Sequence, residues 1–416
     1  MERRSNLKPI IIIGAGIIGL TLAQSLKKEG VPFELYERDE ALDHRSPGWG
    51  ITIHWALDAL KKCLPEDVFT RIDDVQVDPE QGRQDTGRFL LLDLETLQPR
   101  YVIPPSPRRR IHRSKFRALL TAGLDIHWGK TLSSFAPSDD SGDGGIVAKF
   151  TDGTEVHGAM LVGADGSNSR ARTVLFGNND NDDDTAAAAA LHALPVRFMG
   201  VTATLSAAAI APLRAIDPLL FKGTHPASGV FMWFSVLSTP ETNGTALFEA
   251  QINLSWILRG PEDEVPAAES DRLARLKEMA RGFHPVLRGA VEDIPDGTPV
   301  QEIRIADWPT AEWRGDGLVT LLGDAAHAMT MYRGEAANHG FLDAKNLAEQ
   351  LKLWHDGVKT QRQALEDYEA EMRPRTREAV LLSRQACLDA HDLTNLGPDS
   401  PLVSKRARIL EPGLKA

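Results

Sequence analysis

Disulfides, membrane spans and an excess of positive charge are what this sequence lacks. Two cysteines, Cys63 and Cys387, stand among 416 residues. That is too few for a disulfide framework, so a reducing compartment, the cytoplasm, is expected. No run approaches the ~18 apolar residues of a membrane-spanning helix. The basic stretch Met1–Lys8 followed by isoleucines has the outline of a secretory signal, but glycines interrupt it and no small-residue cleavage site follows. The formal net charge of −11 argues against nucleic acid as a partner. The cluster Arg108, Arg109, Arg110, His112 and Arg113 is too short and local to change that. No metal site is expected, and no internal repeat is evident. A hydrophobic content of 42% over this length fits one large and one smaller folding unit.

What is present is three short glycine- and aspartate-bearing stretches. The first runs from Ile10 to Leu20 (IIIIGAGIIGL). Its four isoleucines predict a central parallel strand buried on both faces. Gly14 permits a tight turn, Gly16 lets backbone approach a pyrophosphate, and Gly19 lets helix and strand pack closely. Ala15 and Ile18 belong to the same turn. The following helix, with Ile17, Leu20, Ala23 and Leu26 at helical spacing and Gly30 as its stop, would aim its N-terminus at the phosphates. A second strand, Phe33–Glu37, then delivers Glu37, with Arg38 beside it. A carboxylate at that distance accepts hydrogen bonds from ribose hydroxyls and repels a 2′-phosphate, which favours FAD or NAD over NADP at this turn. The second stretch is Leu161–Arg170 (LVGADGSNSR) and the third Leu321–Thr330 (LLGDAAHAMT). In the third, Gly323 and Asp324 fall at the carboxyl end of an apolar strand, where open α/β sheets bind ligands. A carboxylate there can accept from ribityl hydroxyls, and Asp is also a favoured helix N-cap. His327 reads as a structural histidine.

The expected fold is α/β: a Rossmann-like FAD-binding domain with an antiparallel-sheet substrate domain and C-terminal helices. Residues 1–71, 105–180 and 301–395 are assigned to the first unit and its helices, 72–104 and 181–300 to the second, and 396–416 to a tail. Leu132–Phe135 and Ile146–Phe150 predict a hairpin around a polar loop. Gly177–Asp184 reads as an acidic linker, and Thr185–Leu194 as a short alanine-rich helix. Strands are expected at Val196–Leu205, Gly229–Ser238 and Ala246–Leu258, the last two joined through a hairpin turn at Asn243–Gly244. A pair at Arg88–Leu94 and Arg100–Ile103 should join the same sheet. A strand at Leu318–Leu322 and long helices between Ala337 and about Asp392 complete the chain.

With these motifs in this order the chain resembles the class A flavoprotein monooxygenases, the group of p-hydroxybenzoate and salicylate hydroxylases, and among them fungal secondary-metabolite members. The resemblance spans roughly residues 8 to 390. It implies that Asp165 lies near the FAD pyrophosphate and takes part in NAD(P)H docking, and that Asp324 binds the ribityl chain. Arg113, in Ile111–Arg117 (IHRSKFR), would approach FAD, and Gly48, Gly50 and Ile51 would form the strand over the cofactor. Met329–Asn338 (MTMYRGEAAN) would be the loop and helix start beneath the flavin, with Ala336, Ala337 and Asn338 turning N–H groups toward the ring, where a helix dipole stabilises the reduced anion. Met331 and Ala336 stand where the family usually has proline and glycine, which bears on the type of reaction.

The resemblance implies monooxygenation of an organic, aromatic or indolic metabolite. NADPH or NADH reduces FAD, O2 adds at the flavin C4a, and the hydroperoxide gives up one oxygen atom; nicotinamide would bind transiently, since no second GxGxxG follows a strand. Baeyer–Villiger or rearrangement-linked oxygenation uses the same site, and a non-enzymatic flavin-binding protein is the alternative of another class. A halogenase is disfavoured because no WxWxIP-like segment occurs. His54, Phe231, Trp233 and Tyr332 are substrate-pocket candidates, with aromatic core packing as the plain alternative. Arg197, a guanidinium in the otherwise apolar Leu194–Met199, is the candidate catalytic cation; the alternative is a solvent-facing or acid-paired arginine.

Overall fold

The structure is a computed structural model and describes residues 7–44, 48–138, 144–177 and 187–404. Four parallel strands form its first layer in the order Val319–Leu321, Met160–Gly163, Ile10–Ile13, Phe33–Tyr36. The isoleucine strand lies between two neighbours and is buried along its whole length, as a strand covered on both faces must be. The helix Ile17–Glu29 follows it and ends on Gly30, whose φ of 68° supplies the left-handed cap. Helices Ala336–His355 and Gln361–Asp389 pack alongside. These elements share one core with the three-stranded meander Leu132–Pro137, Ile146–Phe150, Glu155–Gly158. The centre of the polar loop (139–143) and most of the acidic linker (178–186) lie outside the described residues.

The second sheet has seven strands in the order Gln301–Glu302, Val196–Leu205, Phe248–Ile257, Phe231–Ser238, Leu220–Thr224, Phe89–Asp93, Pro99–Ile103. It is mixed rather than antiparallel throughout, because Leu220–Thr224 runs parallel to Phe89–Asp93. That strand was not among those expected from the sequence. The Asn243–Gly244 hairpin turn is also replaced. Thr239-Pro240-Glu241-Thr242 opens a short helix, Pro240–Asn243, through a capping box, and Gly244 (φ 70°) closes it. The two flanking strands still pair antiparallel. Of the alanine-rich stretch, only 187–189 is helical in the described part; His192–Ala193 instead pairs with Ala306–Asp307. Burial of Leu194 and its backbone bond to Ile305 outweigh alanine's helix propensity.

Strand alternation gives this sheet two different faces. Met199, Val201 and Ala203, with Met232, Phe234, Ile252 and Leu254, form a core under the helices Glu269–Met279 and Pro285–Glu292. The opposite face carries Phe198, Lys222, Phe231, Trp233, Ser235, Gln251, Asn253 and Ser255 and looks toward the first unit. Four observations fix that orientation: Gln251 bonds Gly48 and Gly50, Ser235 bonds Arg110, Ser255 bonds Tyr332, and Phe198 meets Trp49 edge-on. In the described part of the chain after Asn395, Leu396, Leu402 and Val403 are buried against this face.

Candidate active site

The glycines of the first motif divide their work as their surroundings require. Gly14 has φ 108°, and a Cβ there would come within 2.5 Å of the Ala164 carbonyl oxygen. A Cβ on Gly19 would collide with the Gly14 carbonyl. At Gly16 a Cβ would meet nothing within 4 Å, so this position opens onto free space at the N-terminus of the first helix. No side chain caps that terminus and no acid stands in its first turn. It is a cradle suited to a pyrophosphate: accessible backbone, free N–H groups and positive helix-end charge. Ile18 seals the helix's other side against Gly323 (φ 60°) and Gly340. Ala15 is buried, and its N–H donates to Glu37 Oε2 at 2.6 Å. Glu37 Oε1 accepts from Asp39 N at 3.0 Å. Glu37 therefore fastens the glycine turn. Arg38 is exposed at the end of the same strand.

The carboxylates of the other two motifs behave differently from one another. Asp165 Oδ1 accepts from Ser169 Oγ at 2.5 Å, and its Oδ2 accepts from the N–H groups of Arg170 and Ala171 at 2.7 and 3.0 Å. It thereby fastens the start of the helix Arg170–Gly177. Asp324 accepts no side-chain hydrogen bond among the described residues and is exposed at the strand end. Protein crowds it on its other sides. This burial raises its carboxyl above the ordinary carboxylate range, opposed by the charges of His327, Arg113 and Arg172. Arg113, at the start of the helix Arg113–Leu120, thus shares Asp324's field. His327 is fully buried and bonded to Asp343. Asp343 also bonds Arg375 at 2.7 Å; although burial raises its carboxyl, these two partners hold it down to about 2. This network fixes the floor beneath the Asp324 strand end, and within it His327 Nδ1 has no hydrogen-bond partner among the described residues.

The strand Gly50–Ile53 pairs with Arg109–His112 and is held from both sides. Gln251 accepts from Gly50 N at 3.3 Å, and Gly48, with φ 74°, accepts from the same amide. Asn338 donates to Thr52 O at 3.0 Å and accepts from His54 N at 2.9 Å. Its side chain is thus a clasp between this strand and the helix Ala336–His355. His54 is buried, its ring Nε2 3.4 Å from Gly334 O. Ile51, Ala336 and Ala337 are half-buried, and the helix that Ala336 opens has neither a side-chain cap nor an acid in its first turn. Tyr332 and Phe231 meet at 5.2 Å between ring centres, both fully buried. The Tyr332 hydroxyl donates to Ser255 Oγ at 2.8 Å, so these two form the base of the sheet face. Trp233 and Trp49 are half-buried on it.

Arg197 is not part of this site. It stands between Val196 and Phe198, whose side chains face the first unit, and no bulge interrupts the strand. Alternation therefore turns it to the far side, where it pairs with both oxygens of Glu264 at 2.6 and 2.8 Å. Residues that the sequence reading missed include Arg110, Gln251 and Asn253. For Gln251 and Asn253 the signal was available: polar residues at alternate positions of the strand Phe248–Ile257, set among apolar ones.

Residues 8–198 and 291–383 match the FAD binding domain family. The chain belongs to the class A FAD-dependent monooxygenases. It is 45% identical over 98% of its length, and 95% of the relative's, to the FAD-dependent monooxygenase dbaB of Emericella nidulans. It is 34% identical to the FAD-dependent monooxygenase phnB of Penicillium herquei, over 95% and 94% of the two chains. Among solved structures, Klebsiella pneumoniae HpxO complexed with FAD and uric acid shares the fold at 20% identity and TM-score 0.71, covering 95% of this chain and 90% of that one. A salicylate hydroxylase substrate complex does so at 18% identity and TM-score 0.71, covering 93% and 89%. This oxidoreductase takes FAD, and the open Gly16 turn with the unbonded Asp324 fits that cofactor. Among the described residues no helix is long and apolar enough to cross a membrane.

Proposed function

We propose that this flavoenzyme uses NAD(P)H and O2 to insert one oxygen atom into an aromatic, oxygen-bearing metabolite. Bound FAD supplies the chemistry, taking hydride from the nicotinamide and activating O2 at its C4a carbon. The protein's share is placement. Gly16 and the first helix hold the pyrophosphate, Glu37 the ribose and Asp324 the ribityl chain, with Arg113 beside it. The open end of the helix at Ala336 and Ala337 faces the flavin's pyrimidine edge and favours its reduced anion. The observation that carries the substrate reading is the sheet face opposite that helix, where half-buried Trp49 and Trp233 stand beside polar side chains. Such a face takes a flat ring and shields it from water. Two buried, unpaired cysteines support a reducing, cytoplasmic setting.

The test is to load the protein with FAD and offer a panel of hydroxylated arenes with NADPH or NADH under isotopically heavy O2. One heavy oxygen atom in the product, with one nicotinamide consumed, is the expected result. Nicotinamide oxidation unaffected by every arene, with no labelled product, would count against an aromatic oxygenase.

A further inference from the structure

The sheet face toward the flavin unit is polar where a structural face would be apolar, and most of its polar groups are satisfied. Gln251 is tied to Gly48 and Gly50, Ser255 to Tyr332 and His391, and Ser235 to Arg110. Asn253 differs. It is 5% exposed, and its buried Oδ1 has no hydrogen-bond partner among the described residues. The buried amide of Asn338, by contrast, is engaged: it joins Thr52, Gly334 and His54. An amide left unsatisfied in the interior is costly, and a residue of the same size without polar atoms would remove that cost.

The neighbours of Asn253 describe what could meet it. In the ladder it lies directly opposite Trp233 on one side and Gly200 on the other. A Cβ on Gly200 would stand 2.5 Å from Asn253 Oδ1 and 2.7 Å from the Trp49 ring. The missing side chain thus makes room for the amide and the indole together. Both tryptophans are half-buried. One step along the strand, Ser235 Oγ accepts from the fully buried guanidinium of Arg110, whose other partner is Thr52 Oγ1 at 2.9 Å. No carboxylate pairs with Arg110 among the described residues, so its charge adds a field that favours an electron-rich oxygen nearby. A half-turn of the Asn253 amide exchanges its donor and acceptor ends, so it can meet either a hydroxyl or a keto oxygen.

We propose that Asn253 is the residue that orients the substrate over the flavin. It hydrogen-bonds an oxygen substituent on a planar ring that packs among Trp49 and Trp233. This rests on the aromatic-oxygenase reading above and adds to it the residue that selects which ring position faces the cofactor.

The test uses the full-length, FAD-loaded protein with two probes, 2-naphthol and naphthalene, and follows dissociation constants through the change in flavin absorbance. Wild type should prefer 2-naphthol about tenfold, the size of one good hydrogen bond. N253L should bind naphthalene as wild type does, keep its FAD, and lose the preference. With any arene that is turned over, N253L should also lower the fraction of NAD(P)H consumed that yields oxygenated product, an effect that mere loss of stability would not produce. If N253L does not retain FAD, N253A is measured in the same way. Equal affinity of wild type for both probes, or a preference that survives in the variant, overturns the role of Asn253 and leaves the oxygenase reading standing. Failure of wild type to bind either probe overturns the aromatic pocket, and this assignment with it.

Discussion

At the scale of single residues, the site is a matter of which charged groups are already engaged. Glu37, Asp165 and Asp343 spend their oxygens on the protein's own donors, whereas Asp324 spends none among the described residues. Asp324→Ala should therefore weaken FAD binding by about 1.5–3 kcal/mol, the usual worth of a hydrogen bond to a charged group, while the melting temperature of the apoprotein barely moves. Titration of apoprotein with FAD checks this, and unchanged affinity would remove Asp324 from the cofactor site. Arg197 gives the opposite case. Its guanidinium is bound to Glu264 on the far face of the sheet, partly in solvent. Such a pair is worth roughly 0–1 kcal/mol. Arg197→Leu should leave FAD content and turnover at wild-type levels, and a large drop in product formation would restore it as a candidate.

At the scale of elements, the glycine turn separates folding from binding within six residues. Gly19→Ala puts a methyl group into the Gly14 carbonyl, and the turn must open. Gly16→Ala meets nothing in the protein, so it should fold with a native circular dichroism spectrum and fail only when the pyrophosphate arrives. We expect Gly16→Ala to be soluble and depleted of FAD, and Gly19→Ala to lose thermal stability even as apoprotein. Equal behaviour of the two would refute this division. The same elements show what a sequence discloses. Ile10–Ile13 and Val196–Leu205 were readable because β-branched runs and period-two patterns are local properties. The short strand Leu220–Thr224 (LFKGT) was not, since its lysine and glycine make sense only against Tyr332 and the neighbouring strands. Thr239 to Thr242 carried a readable helix start that the louder Asn-Gly signal obscured. The side to which Arg197 points could have been had from alternation: Phe198 next to it is buried toward the cofactor unit, so Arg197 must face away.

At the scale of the whole molecule, the two sheets are joined by a third core of unusual polarity. Tyr332 from the cofactor side bonds Ser255 of the seven-stranded sheet, and Ser255 bonds His391 Nε2 at 2.9 Å, just beyond the last long helix. His391 Nδ1 lies 2.8 Å from the Cys387 carbonyl. Burial pushes its ordinary value of 6.5 down to about 4, with the charge of Arg259 acting in the same direction. The neutral ring therefore belongs to the folded state. As pH falls below 6.5 the unfolded chain takes up a proton that the folded chain refuses, so stability is lost progressively until about pH 4. The full difference is on the order of 3 kcal/mol for this one group. His339, buried and beside Arg375, is held down to about 3 and adds a loss of the same sign. Urea unfolding followed from pH 7.5 to 4.5 should show stability falling with acid in wild type. In His391→Gln the slope over that interval should be shallower, whatever the variant's stability at neutral pH. The joint between the sheets also carries the buried Leu402 and Val403, so acid should release FAD before it melts the four-stranded sheet. Parallel stability curves for wild type and His391→Gln would show that the ring is not what couples this junction to pH.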